Sequence, residues 1–172
     1  MPTPDFVLSL REKIGHDQLW LSGVTAVVVR PAPDARAGGS TLSAGDSADE
    51  VLLVRRSDSG AWTPVTGIID PGEEPAVAGA REVLEEADVV AEPVSLVWVH
   101  SIPEVVYPNG DRSLYLDLCF LFRYVSGTPF PADGENTEAA WFPIDAMPPL
   151  SEEMAARVAA AVAGGPGARF EF

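Results

Sequence analysis

The sequence predicts an α/β protein, a mixed sheet sandwiched between helices. Valine-rich segments of strand length alternate with segments whose apolar residues recur at helical spacing. Some strand segments are joined by a tight turn and others by a longer connection, which calls for antiparallel and parallel pairing in one sheet. At 172 residues and 47% apolar content, the chain can bury a substantial core as one domain over residues 1–172.

Residues 4–15 read as an amphipathic helix: Phe6, Val7, Leu10 and Ile14 share a face, and Gly15 stops it. Val24–Arg30 is a strand by its run of valines. Pro31–Asp49 is rich in Ala, Gly, Ser, Pro and Asp and reads as a long mobile loop. Val51–Arg56 is a buried strand, Ser57–Gly60 turns, and Trp62–Thr66 leads into a glycine-rich segment. Pro75 suits the first position of the next helix, where its missing N–H costs nothing. Val77, Ala80, Leu84 and Ala87 are expected to face the core from that helix. Val94–Ile102 and Leu114–Val125 form a strand pair, with Pro108-Asn109-Gly110-Asp111 as the turn. Ala139–Ile144 is a final short strand. Ser151 caps a helix over Ser151–Ala163, and the tail 164–172 carries no clear signal.

Composition narrows the function. The net charge of −15 argues against duplex nucleic acid or an anionic membrane as partner, since both require basic patches. No apolar run reaches the length of a membrane helix, about 18 residues. The start of the chain lacks a signal-peptide pattern, and Cys119 is the single cysteine, so a cytoplasmic protein is expected. Lys13 is the only lysine, so phosphate contacts would fall to arginines or backbone N–H groups.

One segment carries chemistry. Gly67-Ile-Ile-Asp-Pro-Gly-Glu73 is followed by Arg81-Glu82-Val83-Leu84-Glu85-Glu86 on the Pro75 helix. Glu82, Glu85 and Glu86 fall within an arc of about 100°. Three acids so close repel one another unless a cation lies between them, and a hard divalent ion with oxygen ligands meets that need.

This spacing resembles the Nudix box, Gly-x5-Glu-x7-Arg-Glu-U-x-Glu-Glu-x-Gly-U, where U is a bulky aliphatic residue. Gly67, Glu73, Arg81, Glu82, Val83, Glu85, Glu86 and Val89 are in register, and Asp88 stands where the family has glycine. Asp tolerates the left-handed conformation that ends a helix, so the departure bears on the turn more than on the chemistry. Trp62 and Pro64 before the box and Trp141-Phe142-Pro143 after it extend the resemblance to residues 20–150. The resemblance implies an α/β/α sandwich and hydrolysis of a diphosphate linkage in a nucleoside diphosphate derivative. The cofactor implied is Mg²⁺, with Mn²⁺ as an alternative. Many members of the family form homodimers.

The resemblance also assigns roles. Glu82 and Glu86 are the metal ligands, joined by the Thr66 backbone carbonyl, and Glu85 is a ligand or contacts a metal-bound water. Arg81 and Glu73 hold the carboxylates in place, while Gly67 and Gly72 shape the loop. The general base is a box glutamate or a later acid. Of Glu135 and Glu138, Glu138 is preferred, because Glu-x-x-Trp recurs before this strand in relatives.

Arg55 and Arg56 are candidate phosphate contacts, and at most one can point into the site, since adjacent strand residues face opposite ways. Trp62, Tyr107 and Tyr115 are candidates for stacking on a base, with packing the plainer role. Asp111 and Arg112 read as a solvated hairpin tip, and His16 and His100 as structural. The alternative function is a nucleotide-binding or regulatory module of the same fold without catalysis, for which Asp88 is the one supporting feature.

Overall fold

The computed structural model describes residues 3–32 and 49–172. Three helices are described: α1 (Asp5–Ile14), α2 (Pro75–Ala87) and α3 (Glu152–Ala163). The strands are β1 (Leu19–Pro31), β2 (Asp49–Arg56), β3 (Trp62–Thr63), β4 (Val65–Ile68), β5 (Val89–Val106), β6 (Arg112–Gly127), β7 (Asn136–Pro143) and β8 (Arg169–Phe170). They join in one mixed sheet, with β3-β2-β1-β6-β5-β8 as its main path. β1 and β6 run parallel, as do β5 and β8, and the remaining pairs are antiparallel. β4 pairs with β1, and β7 with β2.

The sheet has a core on each face, because side chains alternate along every strand. On one face Ala26, Val28, Leu52, Val54, Val65 and Phe122 pack against Val83 and Ala87 of α2. On the other, Val27, Val29, Val51, Leu53 and Cys119 pack against Val158 and Ala161 of α3. The result is the α/β/α sandwich expected from the sequence.

The local signals act as read. Pro75 opens α2, and Ser151 Oγ accepts a hydrogen bond from the Met154 N–H at 3.3 Å. The turn after β5 closes with Gly110 N donating to Tyr107 O at 2.9 Å, and Gly110 holds a φ of 92°. Boundaries differ more. β1 begins at Leu19 rather than Val24, because its parallel ladder with β6 runs from Leu19 to Val29. β5 and β6 each extend beyond their apolar segments, with irregularities in their pairing. The tail contributes β8, which its composition did not announce. The loop expected over 31–49 lies almost wholly outside the described residues. Among the described residues no helix is long and apolar enough to cross a membrane.

One expectation fails. Val77 and Leu84, assigned to the core stripe of α2, are 58% and 48% exposed. The buried side of that helix consists of Ala78, Gly79, Glu82, Val83, Glu86 and Ala87. The helix is thus rotated so that two of its acids point inward.

Candidate active site

Gly67 and Glu82 explain that rotation together. A Cβ at Gly67 would lie 2.1 Å from the carboxyl carbon and Oε1 of Glu82. The box glycine therefore supplies the space that Glu82 fills, and any side chain there would displace it. Glu82 is fully buried, and its Oε2 has no hydrogen-bond partner. Burial drives its pKa up to about 8 against the pull of Arg81, with Glu86 adding repulsion.

Glu86 is 2% exposed. Asn136 Nδ2 donates to its Oε2 at 2.9 Å, and burial raises its pKa as well. Asn136 had no signal in the sequence reading. It starts β7, where nothing about its spacing relates it to the box.

Arg81 is shared among acids. Its Nε and Nη2 donate to Glu73 at 2.9 and 2.8 Å, and its Nη1 reaches Glu82 Oε1 at 3.0 Å and Glu85 Oε2 at 3.2 Å. Glu73 also accepts from the Asp70 N–H, and Arg81 holds its carboxyl below the usual range. Gly72, with φ 87°, makes the bend that returns Glu73 to Arg81. Asp88 ends α2 in the left-handed conformation, φ 53° and ψ 35°, with its N–H donating to Leu84 O. It is the one non-glycine residue with positive φ among those described.

The strand arginines separate as alternation requires. Arg56 follows Leu52 and Val54 on the α2 face; Arg55 follows Val51 and Leu53 on the α3 face. Arg56 is paired with Asp58 at 2.8 Å and lies within electrostatic reach of Glu86. Arg55 bonds Glu138 at 2.7 Å. A bulge at Thr137 sets Glu138 opposite Arg55 and Asn136 opposite Arg56. Asn136 thereby reaches the Glu86 carboxylate, while Glu138 faces the other side of the sheet and is half exposed.

Thr66 sits beside Gly67, opposite Thr25 in the β1–β4 ladder. Trp62 packs edge-on against Phe142 with ring centres 4.9 Å apart. Tyr107 and Tyr115 join their hydroxyls at 2.6 Å. His16 is hydrogen-bonded to Asp111 at 2.7 Å, and His100 stacks on Trp98 at 3.9 Å. Glu135 lies in the loop before β7, its carbonyl accepting the Ser57 N–H.

Does this set suit a divalent cation? Among the described residues no three acidic, histidine or cysteine side chains converge as a ready cage. Glu85 is turned outward and 44% exposed. The inward set is Glu82, with its unpartnered oxygen, and Glu86. Magnesium retains several waters and is commonly held by one or two carboxylates, so the pair fits it.

The family model described as NUDIX domain matches residues 39–162. The chain belongs to the Nudix family. Its relatives include the NAD-capped RNA hydrolase NudC of Pseudomonas aeruginosa, 35% identical over 104 residues, covering 59% of this chain and 34% of the relative. Another is the 8-oxo-dGDP phosphatase NUDT18 of Mus musculus, 34% identical over 106 residues, covering 58% and 30%. The chain thus spans about a third of the length of the curated relatives it matches. An ADP-ribose pyrophosphatase from Streptococcus suis shares the fold, with a TM-score of 0.60 at 19% identity over 88% of this chain and 98% of that one.

Proposed function

We propose that this Nudix protein hydrolyses a phosphoanhydride bond in a nucleoside diphosphate derivative with a divalent cation, Mg²⁺ in the first instance. The observation that carries the reading is the Glu82 carboxylate, buried beneath Gly67 with one oxygen unpartnered and a second buried carboxylate, Glu86, beside it on the helix. An uncompensated buried charge is costly unless a counter-charge completes it.

Glu82 and Glu86 would hold the ion, with the Thr66 backbone carbonyl as a further ligand. When bound, the cation neutralises phosphate oxygens and makes the phosphorus easier to attack. Arg81 keeps Glu82 and Glu85 oriented while anchored by Glu73. Glu85, exposed at the edge of the cluster, is placed to accept a proton from the attacking water. Its position favours it over Glu138, whose carboxylate is held by Arg55 on the opposite face. Arg56, on the α2 face, is the better placed of the two arginines to meet a phosphate oxygen, and Arg55 the worse. Asn136 orients Glu86.

The named relatives support a nucleotide substrate: an NAD cap and 8-oxo-dGDP both contain a diphosphate attached to a nucleoside. The test is a panel of nucleoside di- and triphosphates, ADP-ribose, sugar nucleotides and dinucleoside polyphosphates with Mg²⁺. We expect turnover of at least one member and a loss of about 100-fold or more in Glu86→Gln. Equal rates in wild type and variant would remove Glu86 from the mechanism, and a silent panel would remove the hydrolase reading.

A further inference from the structure

Among the described residues, two buried side-chain oxygens lack a hydrogen-bond partner: Glu82 Oε2 and Asn136 Oδ1. The other buried atoms without a partner are nitrogens. Both oxygens belong to the carboxylate cluster of the box. Glu82 supplies one directly, and Asn136 donates from Nδ2 to Glu86 Oε2 at 2.9 Å. A carboxylate only accepts, so the amide nitrogen is the end that faces Glu86, and the carbonyl is the end left over. That carbonyl lies within one amide group and one hydrogen bond of the Glu86 carboxylate. Asn136 is 5% exposed, so its oxygen is sheltered from bulk water. A buried carbonyl without a partner is costly, and an apolar side chain in its place would avoid that cost.

Asn136 is also held firmly. The segment leading into β7 is fastened to the end of α2, with Phe130 N donating to Ala87 O at 3.0 Å and Ala132 N to Glu86 O at 3.3 Å. Ser57 N donates to Glu135 O at 2.8 Å, and the bulge at Thr137 then sets Asn136 opposite Arg56 on the α2 face. Residues 132–136 thus grip both the backbone and the carboxylate of Glu86. An amide fixed in this way loses little further freedom when a ligand arrives.

We propose that Asn136 is a neutral oxygen ligand of the divalent cation, its Oδ1 acting beside Glu82 Oε2 and the Glu86 carboxylate. The proposal rests on the hydrolase reading for the presence of that cation. Hard divalent ions accept amide carbonyls among their oxygen ligands. A third carboxylate at this position would deepen the repulsion between two buried acids, whereas an amide adds coordination without adding charge. Donation from Nδ2 to a carboxylate also polarises the amide, which makes Oδ1 the better ligand.

The experiment uses Mn²⁺ as the probe and the full chain labelled with ¹³C at the asparagine side-chain carbonyl. Asn109 and Asn136 are the asparagines of the chain, and Asn109 is bonded to Asp111 in the β5–β6 turn. Electron–nuclear double resonance of the Mn²⁺ complex should show a ¹³C hyperfine coupling that persists in Asn109→Ala. Calorimetry should find Mn²⁺ binding about tenfold weaker in Asn136→Ala. Thermal unfolding checks that this variant folds, and the coupling in wild type reads the role even where it does not. Bound Mn²⁺ without a ¹³C coupling, a coupling lost in Asn109→Ala, or unchanged affinity in folded Asn136→Ala overturns the proposal and leaves the hydrolase reading in place. Failure of wild type to bind Mn²⁺ overturns both. A silent hydrolysis panel beside a persistent coupling overturns the hydrolase reading alone.

Discussion

Buried carboxylates occur on both faces of the sheet, and they are treated differently. On the α3 face, Asp117 is 2% exposed and accepts from Thr25 Oγ1 at 2.9 and 3.1 Å. Arg157, equally buried, donates to Thr25 Oγ1 at 2.8 Å and to Glu153 at 2.5 Å, and its Nε lies 3.7 Å from Asp117. One buried anion there faces one buried cation. On the α2 face, Glu82 and Glu86 are both buried; Arg81 divides itself among Glu73, Glu82 and Glu85, and Arg56, within electrostatic reach of Glu86, is paired with Asp58. The first arrangement is internally balanced and belongs to the architecture. The second is short of positive charge, which is what a site for an exchangeable cation requires.

The comparison breaks most visibly at Arg157. Arg157→Met leaves Asp117 buried without its counter-charge and should cost about 3–5 kcal/mol of stability, read by urea unfolding. Replacing the pair together, Arg157→Met with Asp117→Leu, should recover most of that loss, since an apolar pair of similar volume is often neutral. A single variant as stable as wild type would show that the α3-face charge is not compensated in the way described.

Glu82→Gln is the opposite experiment. Above about pH 8, where burial no longer keeps the Glu82 carboxyl protonated, it removes a charge from an under-compensated site, so the metal-free protein should become more stable by about 1–3 kcal/mol, and the gain should fade as pH drops below that value. Mg²⁺, which should raise the melting temperature of wild type, should raise that of the variant much less. A metal-free variant less stable than wild type would mean that Arg81 already balances Glu82, and the contrast between the two faces would dissolve.

These regions also differ in how far the sequence discloses them. The box is legible because its partners lie at fixed offsets on one loop and one helix: Glu73 with Arg81, and Gly67 with Glu82. The Arg157–Thr25–Asp117 cluster joins residues from a helix and two strands more than ninety positions apart in places, and no local pattern connects them. Asn136 is hidden for the same reason, and the bulge at Thr137 reverses which of Asn136 and Glu138 faces the box. The inward side of α2 is misread for another reason. Hydrophobic periodicity assigns glutamates to solvent, and here Glu82 and Glu86 take inward positions at the expense of Val77 and Leu84. The fold's layers follow from alternation and capping, which are local. Its deepest charges do not.

The smallest effect lies at the junction between the two faces, where α2 gives way to β5. Asp88 holds φ 53°, a conformation that glycine adopts without the steric penalty of a Cβ. On the facing strand, Gly127 stands opposite Val89, and a Cβ there would come within 2.4 Å of the Asp88 carbonyl oxygen, so the backbone has little freedom to relax. Asp88→Gly should therefore stabilise the protein by about 0.5–1 kcal/mol, less than the full left-handed penalty because glycine also loosens the unfolded chain. Asp88 is exposed at the C-terminal end of α2, beyond the helical residues that carry Glu82 and Glu86. Activity and Mg²⁺ response should consequently remain at the wild-type level while the unfolding midpoint rises. A loss of stability would assign the Asp88 side chain a compensating role at the end of the helix, and a change in Mg²⁺ response would tie that end to the under-compensated acids.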